Sequence, residues 1–339
     1  MNAYDAKKSV VKAGLELLES GLIARTWGNI SCRIDDESFA ITPSGRDYSS
    51  LRPEDIVEVK TDDLSYEGPV KPSSEKGIHR EVYRTFPEIN FVIHTHQVYA
   101  SALSASGLDE IPVPGEFVSD SFQEKILCSK YALPGTRTLR KNAGDTLRKT
   151  RSHAIILKHH GALCFGKDYD SAFETARKLE EICLRFINDK GGKISSKKNC
   201  DSVTPPWIYD VIDEIINKKG GFLTFCNNPQ ILKCAEESGP LLPYLDDFAQ
   251  IVGLKAMVCD SDEKEIIKAL KHSSAVLIKD TGALCWGTDK KDAEAVCMIV
   301  KKNSTAYLTA KTFNSLKPIN TFDSLLMRLV YLKKYSKLY

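Results

Sequence analysis

AIILKHHGALCFGKDYDSA, residues 154–172, reads as strand, tight turn, strand and the opening of a helix. AIILK is aliphatic and β-branched, and ALCFG resumes that character after the pair His159–His160. DYDSAFETARKLEEICLRFI, from residue 168, then has the periodicity of a long amphipathic helix. The pattern recurs ungapped at residues 275–293 as AVLIKDTGALCWGTDKKDA, with Gly161, Ala162, Leu163 and Cys164 facing Gly282, Ala283, Leu284 and Cys285. So many identities in order indicate a partial internal duplication within an α/β protein. The turn is where the copies part: His159–His160 becomes Asp280–Thr281, and the second copy has no histidine there.

Upstream of the hairpin, strand-like and helix-like segments alternate. A helix over about 5–20 stops at Gly21, with Val11, Leu15, Leu18 and Leu22 expected on its apolar face. Strands are expected at GNISCRI, SFAITP, IVEV and FVIHT, and a helix from Pro72–Ser73 to about Thr85. GGKISSKKN, residues 191–199, has linker composition, which puts one domain at 1–195 and another at 200–339. The net charge of +2, without any basic block, argues against nucleic acid or an anionic membrane as the main partner. No stretch reaches the ~20 apolar residues of a membrane span, and the N-terminus does not read as a signal peptide. Ten cysteines lack a CxxC pair, and Cys32, Cys164 and Cys285 fall in apolar strands, so a cytoplasmic protein with buried reduced thiols is expected.

Chemistry enters at FVIHTHQVYA, residues 91–100. Residues two apart on a strand face the same side, so His94 and His96 present two imidazoles together. His160, before Gly161 in the hairpin turn, is the candidate third ligand for a catalytic metal. Core histidines satisfied by hydrogen bonds are the plainer alternative. In KPSSE, residues 71–75, Ser73 or Ser74 serves as a helix cap and Glu75 as a first-turn acid. The same segment is also suited to binding an anion. TWGNIS (26–31) and TPSG (42–45) add hydroxyls, an amide and turn backbone, and three such segments together would surround a phosphate.

TWGNIS, TPSG, KPSSE, HTH and HHG occur in the order and spacing of the class II aldolase/adducin family, and residues 5–190 resemble its L-fuculose-1-phosphate aldolase branch. The resemblance implies a central β-sheet flanked by helices and a fourfold homotetramer. It implies one Zn2+ per chain, or another divalent metal, held by His94, His96 and His160, with Glu75 as resting ligand and catalytic base. Thr26, Gly28, Asn29, Ser44, Gly45, Ser73 and Ser74 match the substrate-phosphate pocket. The implied reaction is retro-aldol cleavage of a phosphorylated ketose to dihydroxyacetone phosphate and an aldehyde, through a metal-stabilised enediolate. Sugar-phosphate epimerases of the family carry Asp where Glu75 stands, and adducin-like scaffold members tend to lack the metal histidines.

The sequence departs from that pattern at IPVPGEFVSD (111–120), where the aldolases have a tyrosine and this chain has Glu116 and Phe117. Glu116 is therefore a second acid–base candidate, as in the family's dehydratases, or else a solvated loop acid. His79, four residues after Glu75, is either a partner of that carboxylate or a packing residue. His153 and His272 have no motif around them. Residues 200–339 are expected to be a catalytically inactive partial repeat without the HTH strand or PSSE helix. In that role the segment would cap the site, block the tetramer, or supply a tyrosine such as Tyr244.

Overall fold

The computed structural model describes residues 1–23, 27–192, 194, 204–237 and 239–334. It divides into two compact units, Met1–Ser104 with Leu108–Phe186, and Ala105–Gly107 with Ile187–Tyr339. Of the GGKISSKKN segment, residues 193 and 195–199 lie outside the described residues.

In chain order the first unit holds α1 (Ala3–Ser20), β1 (Asn29–Arg33), β2 (Ser38–Ile41), β3 (Val57–Lys60), α2 (Lys76–Thr85), β4 (Phe91–Thr95) and α3 (Val98–Ser104). It continues with β5 (Glu110–Pro112), β6 (Lys125–Ser129), α4 (Arg137–Leu147), β7 (Ala154–Leu157), β8 (Gly161–Gly166) and α5 (Tyr169–Asp189). Eight strands form one mixed sheet in the order β3-β2-β1-β4-β8-β7-β6-β5. In that sheet β6 and β7 pair in parallel, and α4 makes the crossover that such a pair requires. The apolar core beneath α2 and α4 joins Phe39, Val59, Ile78, Val82, Val92 and Leu163.

Two local expectations are corrected. α1 is capped by the Asn2 side chain and ends at Gly21, whose φ of 73° suits a left-handed helix stop. Its buried face, however, is Ala6, Val10, Ala13, Gly14 and Leu17, and Leu15 is exposed. The small residues go inward because Tyr48 packs on them: a Cβ at Gly14 would lie 2.4 Å from the Tyr48 ring. The second correction concerns α2, which begins at Lys76 with Glu75 as its N-cap residue. Residues 71–73 stay extended beside the 42–44 turn, through the Pro43–Pro72 bridge and the bonds Ser44 N to Lys71 O and Ser73 N to Thr42 O.

The second unit holds α6 (Trp207–Lys219), β9 (Phe222–Cys226), α7 (Pro229–Ala235), α8 (Asp246–Ile251), β10 (Met257–Cys259), α9 (Glu263–Leu270), β11 (Ala275–Ile278), β12 (Gly282–Gly287), α10 (Lys290–Thr312) and α11 (Thr321–Lys334). Its four strands run β10-β11-β12-β9. β10 pairs in parallel with β11 across α9, as β6 does with β7 across α4. The hairpins share one register: Ala154 pairs with Cys164 and Leu157 with Gly161, while Ala275 pairs with Cys285 and Ile278 with Gly282.

The likeness between the two sheets reaches further than the sequence identities. β9 pairs with β12 as β4 pairs with β8, Phe91 opposite Gly166 and Phe222 opposite Gly287. In that register Phe225 stands where His94 stands, and Asn227 follows at the place of His96. The second unit therefore does contain a counterpart of the HTH strand, with a helix before it. It lacks the histidines, not the strand.

Candidate active site

Pairing of β1 with β4 sets Asn29 directly opposite His94. Pairing of β4 with β8 brings the hairpin turn alongside, so His160 arrives at the same end of the sheet. Gly161 permits the approach, because a Cβ there would sit 2.2 Å from the Thr95 carbonyl oxygen. His96 lies one residue beyond the end of β4, in the turn before α3. It still meets His94, Nε2 to Nε2 at 3.1 Å. One ligand nitrogen from each of His94, His96 and His160 lies within 4.8 Å of the other two.

The orientation of His94 is fixed. Its Nδ1 donates to the Ala162 carbonyl at 2.9 Å, which leaves the Nε2 lone pair directed at the cluster. Burial holds His94 well below its ordinary pKa, only partly opposed by Glu75, so the ring is neutral and a competent ligand. Glu75 completes the group, Oε2 at 3.3 Å from His94 Nε2 and Oε1 at 3.1 Å from His160 Nε2. Burial pushes the Glu75 carboxyl up, but the imidazoles of His160 and His94 outweigh it and hold the group well below the usual carboxylate range. Glu75 Oε1 is buried, and its 3.1 Å contact with His160 Nε2 lacks hydrogen-bond geometry. Such an atom beside three imidazole nitrogens fits a divalent cation.

Behind Glu75 runs a hydrogen-bonded chain whose direction can be read. Asn29 Nδ2 donates to Glu75 Oε2 at 3.1 Å, since a carboxylate only accepts. The Asn29 Oδ1 then faces His79 Nε2 at 2.5 Å, so His79 is the donor there. Its other nitrogen, Nδ1, accepts from the Ser31 hydroxyl at 2.7 Å. Ser31 Oγ in turn accepts a hydrogen bond from the Tyr83 hydroxyl, also at 2.7 Å. Burial pushes His79 down to about 3, so it carries one ring proton, as this polarity requires. Glu75, His79 and Tyr83 sit at spacing i, i+4, i+8, which gives one face of α2, and Asn29 and Ser31 share one face of β1. The helical spacing was a readable signal, and the part played by Tyr83 and Ser31 was missed.

The remaining sequence candidates fall as follows. Ser44 and Gly45 lie in the turn held against residues 71–73, and Ser73 Oγ accepts from the Glu75 amide at 3.2 Å. Gly28, at φ 95°, packs against the His94 carbonyl, where a Cβ would be 2.5 Å away. Ser74 is exposed on the other side of the segment, and Thr26 lies outside the described residues. Glu116 is exposed and ion-paired with Arg185. His159, at φ 60°, turns away from the cluster onto the Tyr131 ring. His153 is half-buried against Phe165 and His272 is exposed. Within its own unit Tyr244 is buried beside Tyr307.

α3, which follows the HTH segment, is capped by Glu180 from α5 through the amides of Tyr99 and Ala100, at 2.8 and 3.0 Å. Burial raises the Glu180 carboxyl from 4.5 to about 7, against the pull of those amides. A raised folded pKa means that ionisation costs more in the folded state. The protein should therefore lose stability as pH rises from about 4.5 to about 7. Urea midpoints across that window should fall in the wild type more steeply than in Glu180→Gln. Parallel pH profiles would show that this carboxyl does not contribute.

A family model described as the class II aldolase and adducin N-terminal domain matches residues 8–186, more than half of the 339-residue chain. Among solved structures, an L-fuculose 1-phosphate aldolase is 27% identical, with 63% of this chain and 96% of that one covered at a TM-score of 0.49. YgbL from Klebsiella pneumoniae, described as a candidate aldolase/epimerase/decarboxylase, is 25% identical over 59% of this chain and 97% of its own, at a TM-score of 0.50. The L-fuculose-1-phosphate aldolase of Thermus thermophilus is 26% identical, covering 55% and 95%, at a TM-score of 0.45.

Proposed function

The chain belongs to the class II aldolase and adducin family, and on that footing we propose that it is a zinc-dependent aldolase. Its substrate would be a phosphorylated ketose, cleaved to dihydroxyacetone phosphate and an aldehyde. One observation carries the reading: three imidazoles, of which only His96 is half-buried, and the Glu75 carboxylate converge in one cluster, with the carboxylate held from behind by Asn29. A scaffold protein has no need of that arrangement.

His94, His96 and His160 would hold the metal, which when bound supplies a Lewis acid for the substrate's carbonyl group. The residues divide the remaining work. Asn29 and the chain behind it fix Glu75 through Oε2, so Oε1 is the atom that takes and returns the proton. The Ser44–Gly45 turn and the Ser73 hydroxyl, held together by backbone bonds, would seat the substrate phosphate, with Gly28 and Asn29 beside them. That remote anchor places the bond to be broken against the carboxylate. Glu75, with its longer reach than aspartate, favours cleavage over the epimerase reading. A homotetramer is part of the proposal.

Metal content and cleavage of ketose 1-phosphates, assayed on the same samples of wild type and His96→Ala, test it. The wild type should carry about one zinc per chain, the complement of a single three-histidine site. The variant should bind it more weakly by over ~100-fold, beyond the loss of an outer-shell partner, and should not cleave. Metal without cleavage of any ketose phosphate would turn the reading toward dehydration, with Glu116 as a candidate. Absence of metal after reconstitution would end the enzyme reading.

A further inference from the structure

Three cysteines meet in the second unit. Cys226 ends β9, Cys285 lies in β12 and Cys297 lies on α10. Strand alternation brings the first two together. Leu223, Val276, Ile278 and Leu284 face the core beneath α6 and α9, so Cys226 and Cys285 face the other side, where α10 packs. Cys226 pairs with Ala283 and Cys285 with Thr224, which makes the two thiols diagonal neighbours, Sγ to Sγ at 3.7 Å. Cys297 meets both from the helix. At the matching places of the first unit stand Thr95, Cys164 and Ala176, so only Cys285 has a thiol as its counterpart.

The three differ in access and in acidity. Cys285 is fully buried, Cys226 nearly so and Cys297 half-buried. Burial pushes the Cys285 thiol well above its ordinary value. Cys297 goes the other way: the Cys226 and Cys285 thiols, helped by Lys301 one turn on, outweigh burial and pull it down to about 4. The thiolate is the nucleophilic form, so the most accessible sulfur of the cluster is also its most reactive. Diagonal neighbours on paired strands have Cα atoms ~7–8 Å apart. A disulfide spans ~4.4–6.8 Å between Cα atoms, so the two strand cysteines are poorly placed to bridge each other. The helix cysteine is the better partner.

We propose that Cys297 is a site of oxidation by hydroperoxides, and that Cys226 resolves it into a disulfide tying α10 to β9. The Cys297 thiolate attacks one oxygen of hydrogen peroxide, the O–O bond breaks, and hydroxide leaves behind a sulfenic acid. The Cys226 thiol then attacks that sulfur, the S–O bond breaks, and the hydroxyl departs with the thiol proton as water. Two thiols are oxidised and one peroxide is reduced. A reducing thiol reverses the bridge by exchange. The inference concerns the second unit alone and does not depend on the aldolase reading.

Hydrogen peroxide added to the reduced, native full chain tests it, followed by alkylation of the remaining thiols and peptide mapping by mass. The wild type should yield a linked Cys226–Cys297 peptide, lighter by two hydrogens, that dithiothreitol removes. Cys297 should be consumed at least ~10-fold faster than the buried Cys32, Cys164 and Cys183, as a thiolate beside protonated thiols at neutral pH. In Cys226→Ser/Cys285→Ser no thiol of the cluster is left to resolve the sulfenic acid, so dimedone should label Cys297. A bridge from Cys297 to Cys285 in place of Cys226 overturns the inference. So does a wild-type Cys297 that is still fully alkylated after peroxide. The wild type alone decides both outcomes, so a variant that fails to fold does not blunt the test.

Discussion

Glu75→Gln should stop turnover and leave the metal in place. The three imidazoles remain, and glutamine still offers Asn29 an oxygen, so metal stoichiometry stays near wild type. The oxygen that would carry the proton is gone, and losing a positioned acid–base group costs typically ~10²–10⁴-fold in rate. Single-turnover cleavage beside metal analysis separates the two effects. Turnover within a few-fold of wild type would remove Glu75 from the chemistry and make it a structural partner of the histidines. Loss of metal together with activity would make it chiefly a ligand.

His79→Leu should be the most costly single substitution in the site for stability, although His79 touches no imidazole of the cluster. The side chain is fully buried and hydrogen-bonded at both nitrogens. Leucine leaves the Asn29 carbonyl and the Ser31 hydroxyl facing an apolar group. At ~1–3 kcal/mol for each unsatisfied buried group, the loss is roughly 3 kcal/mol or more. Tyr83→Phe removes only the terminal donor and should cost about 1 kcal/mol. Urea unfolding measures both. A cost below about 1 kcal/mol for His79→Leu would show that the chain is not held as described. Because Asn29 depends on His79, the double variant with Asn29→Ala should fall short of the sum of the single effects. Turnover should drop in His79→Leu as Glu75 loses its anchor, with metal binding changed less.

The parts of the fold that sequence could reveal were those carried by local pattern. The hairpin at 154–166, the helix after it and the strand at Phe91–Thr95 follow from β-branched runs, turn residues and helical periodicity. What depended on distant neighbours was not visible. α2 starts late because Pro72 and Ser73 bond to a turn some thirty residues upstream. α1 turns a different face inward because of Tyr48, which no periodicity within the helix reveals. β9 escaped notice as the counterpart of β4 because FLTFC keeps almost none of the residues of FVIHT, and only hydrogen-bond register links them. In the site, the residue types at 75, 94, 96 and 160 marked a cluster, and the structure brings those four side chains together. The chain from Tyr83 to Asn29 was not, since strand pairing decides which helix face meets Asn29 and Ser31.

The two hairpins let the needs of a fold be told apart from the needs of a reaction. His159 at φ 60° and Asp280 at φ 52° hold the same left-handed turn, a conformation that histidine and aspartate tolerate better than most residues. The turn therefore belongs to the architecture and survives without the imidazoles. Read as an engineering problem, the second sheet is a blank socket. Phe225→His, Asn227→His and Thr281→His would return donors to the three equivalent places, on a backbone that already has the matching register. The socket would still lack a counterpart to Glu75 and the buried wiring behind it. A metal seated there would measure how much of the chemistry resides in ligands alone.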